Sequence, residues 1–237
     1  MNHRFVVLSS LACAVIWLGL ADLQSAVAHD DGPHTGHREG WWGDQVRGSG
    51  KIVRETREIE EFDEIDLRDS TDLELTIGSP RSLTVEADDN LMSHIVTSID
   101  GKRLRVESHG SYTTRHSPKL IVTVPSLTAL AIHGSGDATL VGLSGERLKL
   151  SIDGSGDIRA RGDAGTLELR INGSGDADLS RLVARSATVA INGSGDARLD
   201  VREQLDAVVN GSGDIRYDGE PARVQKRVRG SGEISAR

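Results

Sequence analysis

Six copies of a short glycine-rich motif run through the C-terminal half of the chain and constrain its fold more than any other feature. Each copy is Gly-Ser-Gly followed by an acidic residue, and the first glycines are 20, 19, 20, 18 and 19 residues apart. Self-similarity at a fixed period of about 20 residues indicates a stacked repeat protein. The copies are Gly134-Ser135-Gly136-Asp137, Gly154-Ser155-Gly156-Asp157, Gly173-Ser174-Gly175-Asp176, Gly193-Ser194-Gly195-Asp196, Gly211-Ser212-Gly213-Asp214 and Gly230-Ser231-Gly232-Glu233.

Apolar residues alternate with polar ones on both sides of each motif. Counted from the first glycine, positions −4 and −2 hold side chains such as Leu150 and Ile152, and positions +4 and +6 hold Ile158 and Ala160. Strict alternation predicts two short strands with one face inside. One coil cannot bury that face alone, but stacked coils place like positions about 4.8 Å apart in parallel ladders. We therefore predict an all-β, single-stranded parallel β-helix, or β-solenoid.

The N-terminal half, residues 46–127, predicts less regular coils of the same solenoid, which continues over residues 128–237. Alternating apolar residues predict strands, a polar stretch at 110–118 predicts a loop, and Leu91 to Ile95 predicts a short helical turn. Val46 to Ile52 resembles Val228 to Ile234, so we expect the body to begin and end on the same local structure. The strand residues are Ile65 and Leu67; Leu73, Leu75 and Ile77; Leu83 and Val85; Leu104 and Val106; and Leu120 to Val124.

The first 28 residues are typical of a secretory signal peptide. An apolar run from Phe5 to Leu20 is followed by the cleavage pattern Ala26-Val27-Ala28. The run is shorter than the roughly 20 residues of a membrane span, so we expect no integral membrane segment in the mature chain. Its removal takes away Cys13, the only cysteine. We predict an exported protein without disulfides, either periplasmic or extracellular at the cell surface.

Composition excludes several classes of partner and core. Aromatic residues make up 3% of the chain, so the core must be aliphatic, and this suits thin regular layers. The net charge of −8 disfavours nucleic acid and anionic membrane surfaces. We predict no nucleic-acid partner and no cofactor, and an envelope or extracellular ligand, glycan or protein, that the sequence does not identify. A homo-oligomer stays open.

Residues 29–45 predict a flexible leader rich in histidine, aspartate and glycine. His29, His34 and His37 offer imidazole ligands for Zn²⁺ or Cu²⁺. Their spacing matches no structural zinc pattern, and nothing in the sequence fixes a coordination geometry. The interpretation that we favour is a solvated tail without a metal.

The motif itself predicts a structural corner whose outward side chains form rows. We expect both glycines to point inward, where a Cβ would crowd the core, and the serines and the preceding asparagines to form ladders. Each acid is expected to cap its own turn, which relieves repulsion between stacked carboxylates. The alternative is a row of Ca²⁺ ions bound at Asp157, Asp176, Asp196 and Asp214.

Charged residues outside the motif predict register and termination. Arg159, Asp178 and Arg198 would stack with alternating sign, as would Lys149 and Glu168. In the last coil Lys226 replaces an inward apolar residue, and an inward charge on a terminal strand blocks end-to-end pairing.

Catalysis is not indicated, because the acids are spread evenly by the repeat and do not cluster. The chain has no nucleophile elbow, no phosphate loop and no His-Glu-x-x-His motif. We predict no enzymatic activity and no catalytic residues. A carbohydrate-active β-helix enzyme and a self-assembling envelope protein remain the alternatives.

With the repeat laid out, the chain resembles the putative auto-transporter adhesin, head GIN domain family of bacterial exported proteins. The resemblance covers about residues 46–237 and rests on the Gly-Ser-Gly-Asp ladder and three further segments. These are Phe62-x-x-Ile65-x-Leu67, Ala87-Asp88-Asp89-Asn90-Leu91 and Val124-Pro125-x-Leu127. It implies a right-handed parallel β-helix in or outside the cell envelope, and a non-enzymatic adhesin or envelope interaction protein that presents a repetitive Ser/Asp face.

Overall fold

The computed structural model describes residues 45–237, which contain 17 β-strands and one short 3₁₀ helix. The predicted signal peptide, the leader up to residue 44 and the leader histidines lie outside the described residues. In the N-terminal half the elements are β1 (Val46–Arg47), β2 (Ile52–Arg57), β3 (Glu64–Leu67), β4 (Asp72–Ile77), β5 (Ser82–Asp88), the 3₁₀ helix (Met92–His94), β6 (Ile95–Asp100), β7 (Arg103–Ser108), β8 (Tyr112–Thr113) and β9 (Lys119–Val124).

The C-terminal half consists of long strands that pair in parallel, one coil upon the next. They are β10 (Ala129–Gly134), β11 (Ala138–Gly154), β12 (Ile158–Gly173), β13 (Ala177–Gly193), β14 (Ala197–Gly211), β15 (Ile215–Asp218), β16 (Arg223–Gly230) and β17 (Ile234–Ala236). The first glycines of all six motifs are in register with one another. The predicted β-solenoid is confirmed, with about five turns.

The core is a set of aliphatic columns that follow the solenoid axis. At position −2, Ile132, Ile152, Ile171 and Ile191 are completely buried, as the alternation predicts. Full burial of such a side chain contributes roughly 1.5–3 kcal/mol. The column ends at the last coil, where the equivalent Val228 is 42% exposed.

The N-terminal coils join the same stack, but their order in space differs from their order in the chain. Strand β3 lies between β7 and β10, and β4 lies between β9 and β11, all in parallel register. The coil directly beneath the first motif, formed by β3 and β4, therefore comes earlier in the chain than the next coil down, formed by β7 and β9. The connection at residues 125–128 then returns to the repeats.

Antiparallel strands close the N-terminal end of the solenoid. Strand β6 pairs with β7, β5 pairs with β9, and β2 covers the outer edge of β5. The sequence patterns do not predict β2, because an edge strand with the polar sequence Ile-Val-Arg-Glu-Thr-Arg shows little alternation. They also miss β6, whereas the helical turn near residue 92 is confirmed.

The expectation that the body begins and ends on the same local structure is wrong. Strand β1 pairs with β8 in a separate two-stranded sheet, off the motif ladder. The following Gly48-Ser49-Gly50 surrounds the buried carboxylate of Asp88, whose Oδ1 accepts the Gly50 N–H at 2.7 Å. The two segments are similar in sequence only, because each adopts a structure that depends on the strand with which it pairs. No helix within residues 45–237 has the length and apolarity needed to cross a membrane.

Candidate functional site

The glycines of the motif allow neighbouring coils to approach each other closely. The first glycine has a positive φ, as at Gly173 (139°), a region that other residues rarely adopt. A Cβ on the second glycine, Gly175, would overlap the carbonyl oxygen of Gly156 and lie 2.9 Å from Ile152 Cγ2. The expected inward crowding is therefore only part of the reason, because the main obstacle is the backbone of the preceding coil.

A seventh copy of the corner, without glycine, lies at the base of the ladder. Asp69-Ser70-Thr71-Asp72 connects β3 to β4 directly beneath the first motif. Ser135 Oγ lies 3.0 Å from Ser70 Oγ, and the Asp137 N–H donates to Asp72 Oδ1 at 3.0 Å. The repeat pattern does not reveal this copy, because only the serine and the final acid of the motif are kept in it. Below it lies the longer 109–118 connection, and Asp69 and Thr71 stand at the positions that hold glycine in the motif.

The acidic column staples each coil to the next. The Oδ1 atom of each aspartate accepts the backbone N–H of the acidic residue one coil later, at 2.8–3.0 Å. The prediction that each acid caps its own turn is wrong, since the donor belongs to the following coil. The outcome for repulsion is the same, because a hydrogen bond to the charged form favours that form.

Two arginines bind the second carboxylate oxygens of the column. Arg159 Nη2 lies 3.2 Å from Asp157 Oδ2, and Arg216 Nη2 lies 2.8 Å from Asp214 Oδ2. Within residues 45–237, no three acidic, histidine or cysteine side chains converge so that they could hold a metal ion. The calcium alternative at Asp157, Asp176, Asp196 and Asp214 therefore has no support from this geometry.

The amide ladder predicted before the motif is confirmed. Asn192 Nδ2 donates to Asn172 Oδ1 at 2.8 Å, and Asn210 Nδ2 donates to Asn192 Oδ1 at 2.8 Å. At its start, Asn172 Nδ2 donates to Asp153 Oδ1 at 2.6 Å, and Asp153 also faces His133, 3.3 Å away. These bonds fix the register of the corner.

The serine column is the most exposed of the three rows. All six motif serines are exposed, and the backbone N–H groups of the last five donate to the first glycine of the preceding motif, as where Ser155 donates to the Gly134 carbonyl at 2.9 Å. Ser231 Oγ lies 3.1 Å from Ser212 Oγ. The backbone is thus satisfied without the hydroxyls, which remain at the surface.

The outward face of the strands that follow the motif carries charge. Arg159, Asp178 and Arg198 are in register, as predicted, and Arg216 follows Arg198 directly. A hydrogen bond from Ser180, and then the charges of Arg198 and Arg159, lower the pKa of Asp178 below its ordinary value. The predicted pair of Lys149 and Glu168 is present at 3.7 Å.

A basic side chain of the last coil, Lys226, lies at the end of the stacked core. Lys226 occupies the end of an inward column, in register with Ala207. Its Nζ lies 4.8 Å from the centre of the Tyr217 ring and donates to the Ile234 carbonyl at 3.1 Å. A charge therefore sits where a further coil would need an apolar side chain.

Histidines in the described residues do not form a catalytic arrangement. The His94 ring bonds the His109 carbonyl at 2.7 Å, and His133 lies between Asp66 and Asp153. Across residues 45–237, no histidine ring is hydrogen-bonded to a serine, threonine or cysteine side chain, the pairing that activates a nucleophile.

The family model described as putative auto-transporter adhesin, head GIN domain, matches residues 61–221. The chain belongs to this family. The match begins just before Phe62 and spans all but the last of the six motifs. No protein with curated information matches the chain.

Solved structures share the fold at low sequence identity. A putative adhesin from Bacteroides fragilis is 24% identical, with a TM-score of 0.67 over 81% of this chain and 100% of that one. A putative adhesin and a putative lipid binding protein, both from Parabacteroides distasonis, are each 22% identical. Their TM-scores are 0.51 and 0.53, over 82% and 81% of this chain and 100% and 99% of theirs. These likenesses extend to the fold alone.

Proposed function

We propose that this protein is an exported, non-enzymatic binding protein of the cell envelope or cell surface, an adhesin that holds an external ligand on its repetitive polar faces. Family membership supports export and adhesion as the general role. The signal peptide predicted at residues 1–28 is consistent with the same destination.

One observation carries the proposal: polar groups are fixed in straight rows along the solenoid. The exposed serines of the motif repeat once per coil, about 4.8 Å apart, and the aspartate and asparagine columns beside them are held by inter-coil hydrogen bonds. A rigid, regularly spaced surface suits a ligand that is itself a repeating polymer. Because the rows are pre-organised, little side-chain entropy is lost on binding.

A carbohydrate-active enzyme is the competing function. Such chemistry needs two carboxylates, or a base beside a metal or an arginine, on either side of one bond. In this protein the carboxylates of the motif are already engaged by backbone N–H groups and arginines. That arrangement favours binding over turnover.

The test combines a glycan array with a reducing-sugar assay on the purified protein. We expect binding to a subset of immobilised glycans and no release of reducing ends from them. Turnover of any polysaccharide would replace the proposal with the enzymatic alternative. Absence of binding both to the array and to intact cells would remove adhesion as the function.

Self-assembly through the C-terminal end is a second candidate, favoured by the open edge of the last coil. Among residues 45–237, β16 pairs only with β14, and β17 only with β15. The positions of Lys226, Arg227 and Arg229 on β16 oppose stacking of a second copy by charge repulsion. Analytical sedimentation at several protein concentrations tests self-assembly, and a monomer at every concentration would exclude it.

A further inference from the structure

Two pairs of arginines are stacked directly on each other in the sheet that follows the motif. Arg161 is in register with Arg181, and Arg198 is in register with Arg216. Like charges directly opposite each other on neighbouring strands destabilise a sheet. Opposite charges are stacked at other positions, as with Glu64 and Arg103, whose ion pair measures 2.6 Å, although Asp200 and Asp218 also face each other as like charges. Direct contact between the arginines of each pair therefore does not stabilise the fold.

These arginines line a groove that runs along the solenoid axis. It consists of two adjoining depressions of about 390 and 190 Å³ that share Asp178 and Ser180. Six arginines less two aspartates give the groove a net charge of +4, in a chain whose net charge is −8. The arginines are Arg159, Arg161, Arg181, Arg198, Arg216 and Arg237.

Three of the six arginines are available to a ligand. Among the described residues 45–237, Arg161, Arg181 and Arg198 have no carboxylate within 4 Å, and all three are exposed. The other three face the aspartate column or Asp218.

A β-bulge contributes to this arrangement. The register between β12 and β13 shifts after Arg159, so that Arg161 pairs with Arg181 and an extra residue is accommodated near Ser180. The Ser180 hydroxyl turns back and donates to Asp178 Oδ1 at 2.6 Å. Bulges re-aim side chains and are over-represented next to functional sites.

We propose that this groove, hereafter the arginine groove, binds an acidic polysaccharide whose chain lies along the solenoid axis, an inference that rests on the proposed ligand-binding function. The exposed guanidinium groups pair with the anionic groups of successive sugars. Arginine is suited to this role because its planar fork binds a carboxylate or sulfate through two parallel hydrogen bonds.

The length and flanks of the groove select this class of ligand. From Arg159 to Arg237 it crosses four ladder steps, or roughly 19 Å, so its charges are distributed along a line and do not converge on one small anion. The aspartate column beside it repels a densely charged polymer such as nucleic acid. A sugar chain carries sparser charge, and its hydroxyls can donate to Asp178 and Asp218.

The test is titration calorimetry of the purified protein at low ionic strength. Polygalacturonate oligomers are compared with the fully methyl-esterified polymer, and dextran sulfate with neutral dextran. We expect binding to a charged polymer that weakens as salt is added, and none to its neutral counterpart. Preference for polygalacturonate or for dextran sulfate identifies the anionic group as carboxylate or sulfate.

Paired substitutions locate the binding site. The variants Arg198→Gln/Arg216→Gln and Arg161→Gln/Arg181→Gln are each expected to lower affinity by about tenfold. The matched control is Arg147→Gln/Arg223→Gln, which removes the same charge from two exposed arginines outside the groove and should change affinity less than about twofold. Arg161 and Arg181 repel each other and have no ion pair among the described residues, so the Arg161→Gln/Arg181→Gln variant should melt at the wild-type temperature or above, which separates lost binding from unfolding. The Arg198→Gln/Arg216→Gln variant also loses the ion pair of Arg216 with Asp214, so it should melt slightly below the wild type and still be folded at the temperature of the titration.

Three results would overturn the proposed role of the arginine groove. They are an equal loss of affinity in the control variant, equal binding of the esterified polymer, and tighter binding of a single-stranded oligonucleotide. The failure of every acidic polymer to bind would also overturn it. If neutral glycans or intact cells are still bound in that case, the proposed function stands and only the groove is rejected.

Discussion

The N-terminal coils and the repeat coils use the same corner in two different ways. In the repeats, every coil lies on the backbone of the one before it, so the corner needs two glycines and the acids form a continuous staple. In the coil at the base, Asp69 and Thr71 occupy the glycine positions, and the longer 109–118 connection lies beneath them in place of another motif. The comparison teaches that the second glycine of the motif is required by the neighbouring coil, whereas the first glycine is required both by the neighbouring coil and by its positive φ.

The largest expected effect comes from adding one methyl group at a repeat corner. Gly175→Ala should lower the free energy of unfolding by about 3 kcal/mol, because its Cβ overlaps the Gly156 carbonyl of the preceding coil. Urea denaturation measures the change. The control is Gly101→Ala, where φ is 63° and no atom lies within 4 Å of the added carbon, so that only backbone strain of about 1 kcal/mol applies. Equal costs at the two sites would show that close approach of the coils is not the reason for glycine.

The next effect tests the acidic staple. Asp196→Ala leaves the half-buried Asp214 N–H without its acceptor at 2.8 Å and should lower the free energy of unfolding by about 1.5 kcal/mol. Asp196→Asn keeps an oxygen in the same place and should cost less than half as much. Thermal unfolding of the two variants, measured side by side, gives the difference; if alanine and asparagine were equivalent, the bond would have no role in joining the coils.

A smaller effect is expected from pH at the base of the ladder. Burial raises the pKa of Asp72 above its ordinary value of 3.8, despite the hydrogen bond from the Asp137 backbone. A raised acid pKa means that ionisation of Asp72 opposes folding, and this cost is fully present above the folded pKa and disappears as pH falls to the unfolded pKa. Asp72→Asn should therefore be neutral or stabilising at pH 7 and should lose this part of the pH dependence.

Asp178 provides the opposite case in the repeats. Its lowered pKa adds stability above the unfolded pKa, and this is lost as pH falls through the folded value. Unfolding curves between pH 3 and 7 for Asp72→Asn and Asp178→Asn compare the two effects, which should have opposite signs. If both variants changed the pH dependence of stability in the same direction, the opposite pKa shifts of Asp72 and Asp178 would be contradicted.

The smallest effect is expected at Thr71, which occupies the place of a motif glycine. Thr71 is fully buried, and its Oγ1 has no hydrogen-bond partner among the described residues. Thr71→Val keeps the shape and removes the unsatisfied hydroxyl, so stability should stay within about 0.5 kcal/mol or rise. Denaturant midpoints measure this. A clear loss of stability would contradict this interpretation, because it would mean that the hydroxyl makes a stabilising hydrogen bond.

The sequence predicts the structural features that repeat in every coil. It does not predict those that depend on which distant residues pair. The register of the motifs and the Asn192–Asn172 ladder follow from one period, because stacked coils put like positions together. The acid-to-backbone bond was assigned to the wrong coil, since a one-dimensional pattern cannot show that the Asp214 N–H lies over Asp196.

The base of the solenoid was the least predictable part. Asp69 to Asp72 has no glycine to mark it, and β2 is an edge strand whose polar residues hide its period. The arginine pairs are visible in the sequence once the repeats are aligned, but the bulge that brings Arg181 beside Arg161 shifts the alignment by one residue.

The interleaved order of β7, β3 and β10 also determines how such a molecule can change its length. A whole coil can be duplicated or deleted among the repeats, because each one contacts only its two neighbours and presents the same rows to both. The base cannot be extended in this way, because its coils are stacked in an order that differs from their order in the chain and are closed by antiparallel strands. The rows of exposed serines and acids can therefore be lengthened or shortened coil by coil among the repeats, while the base of the solenoid stays unchanged.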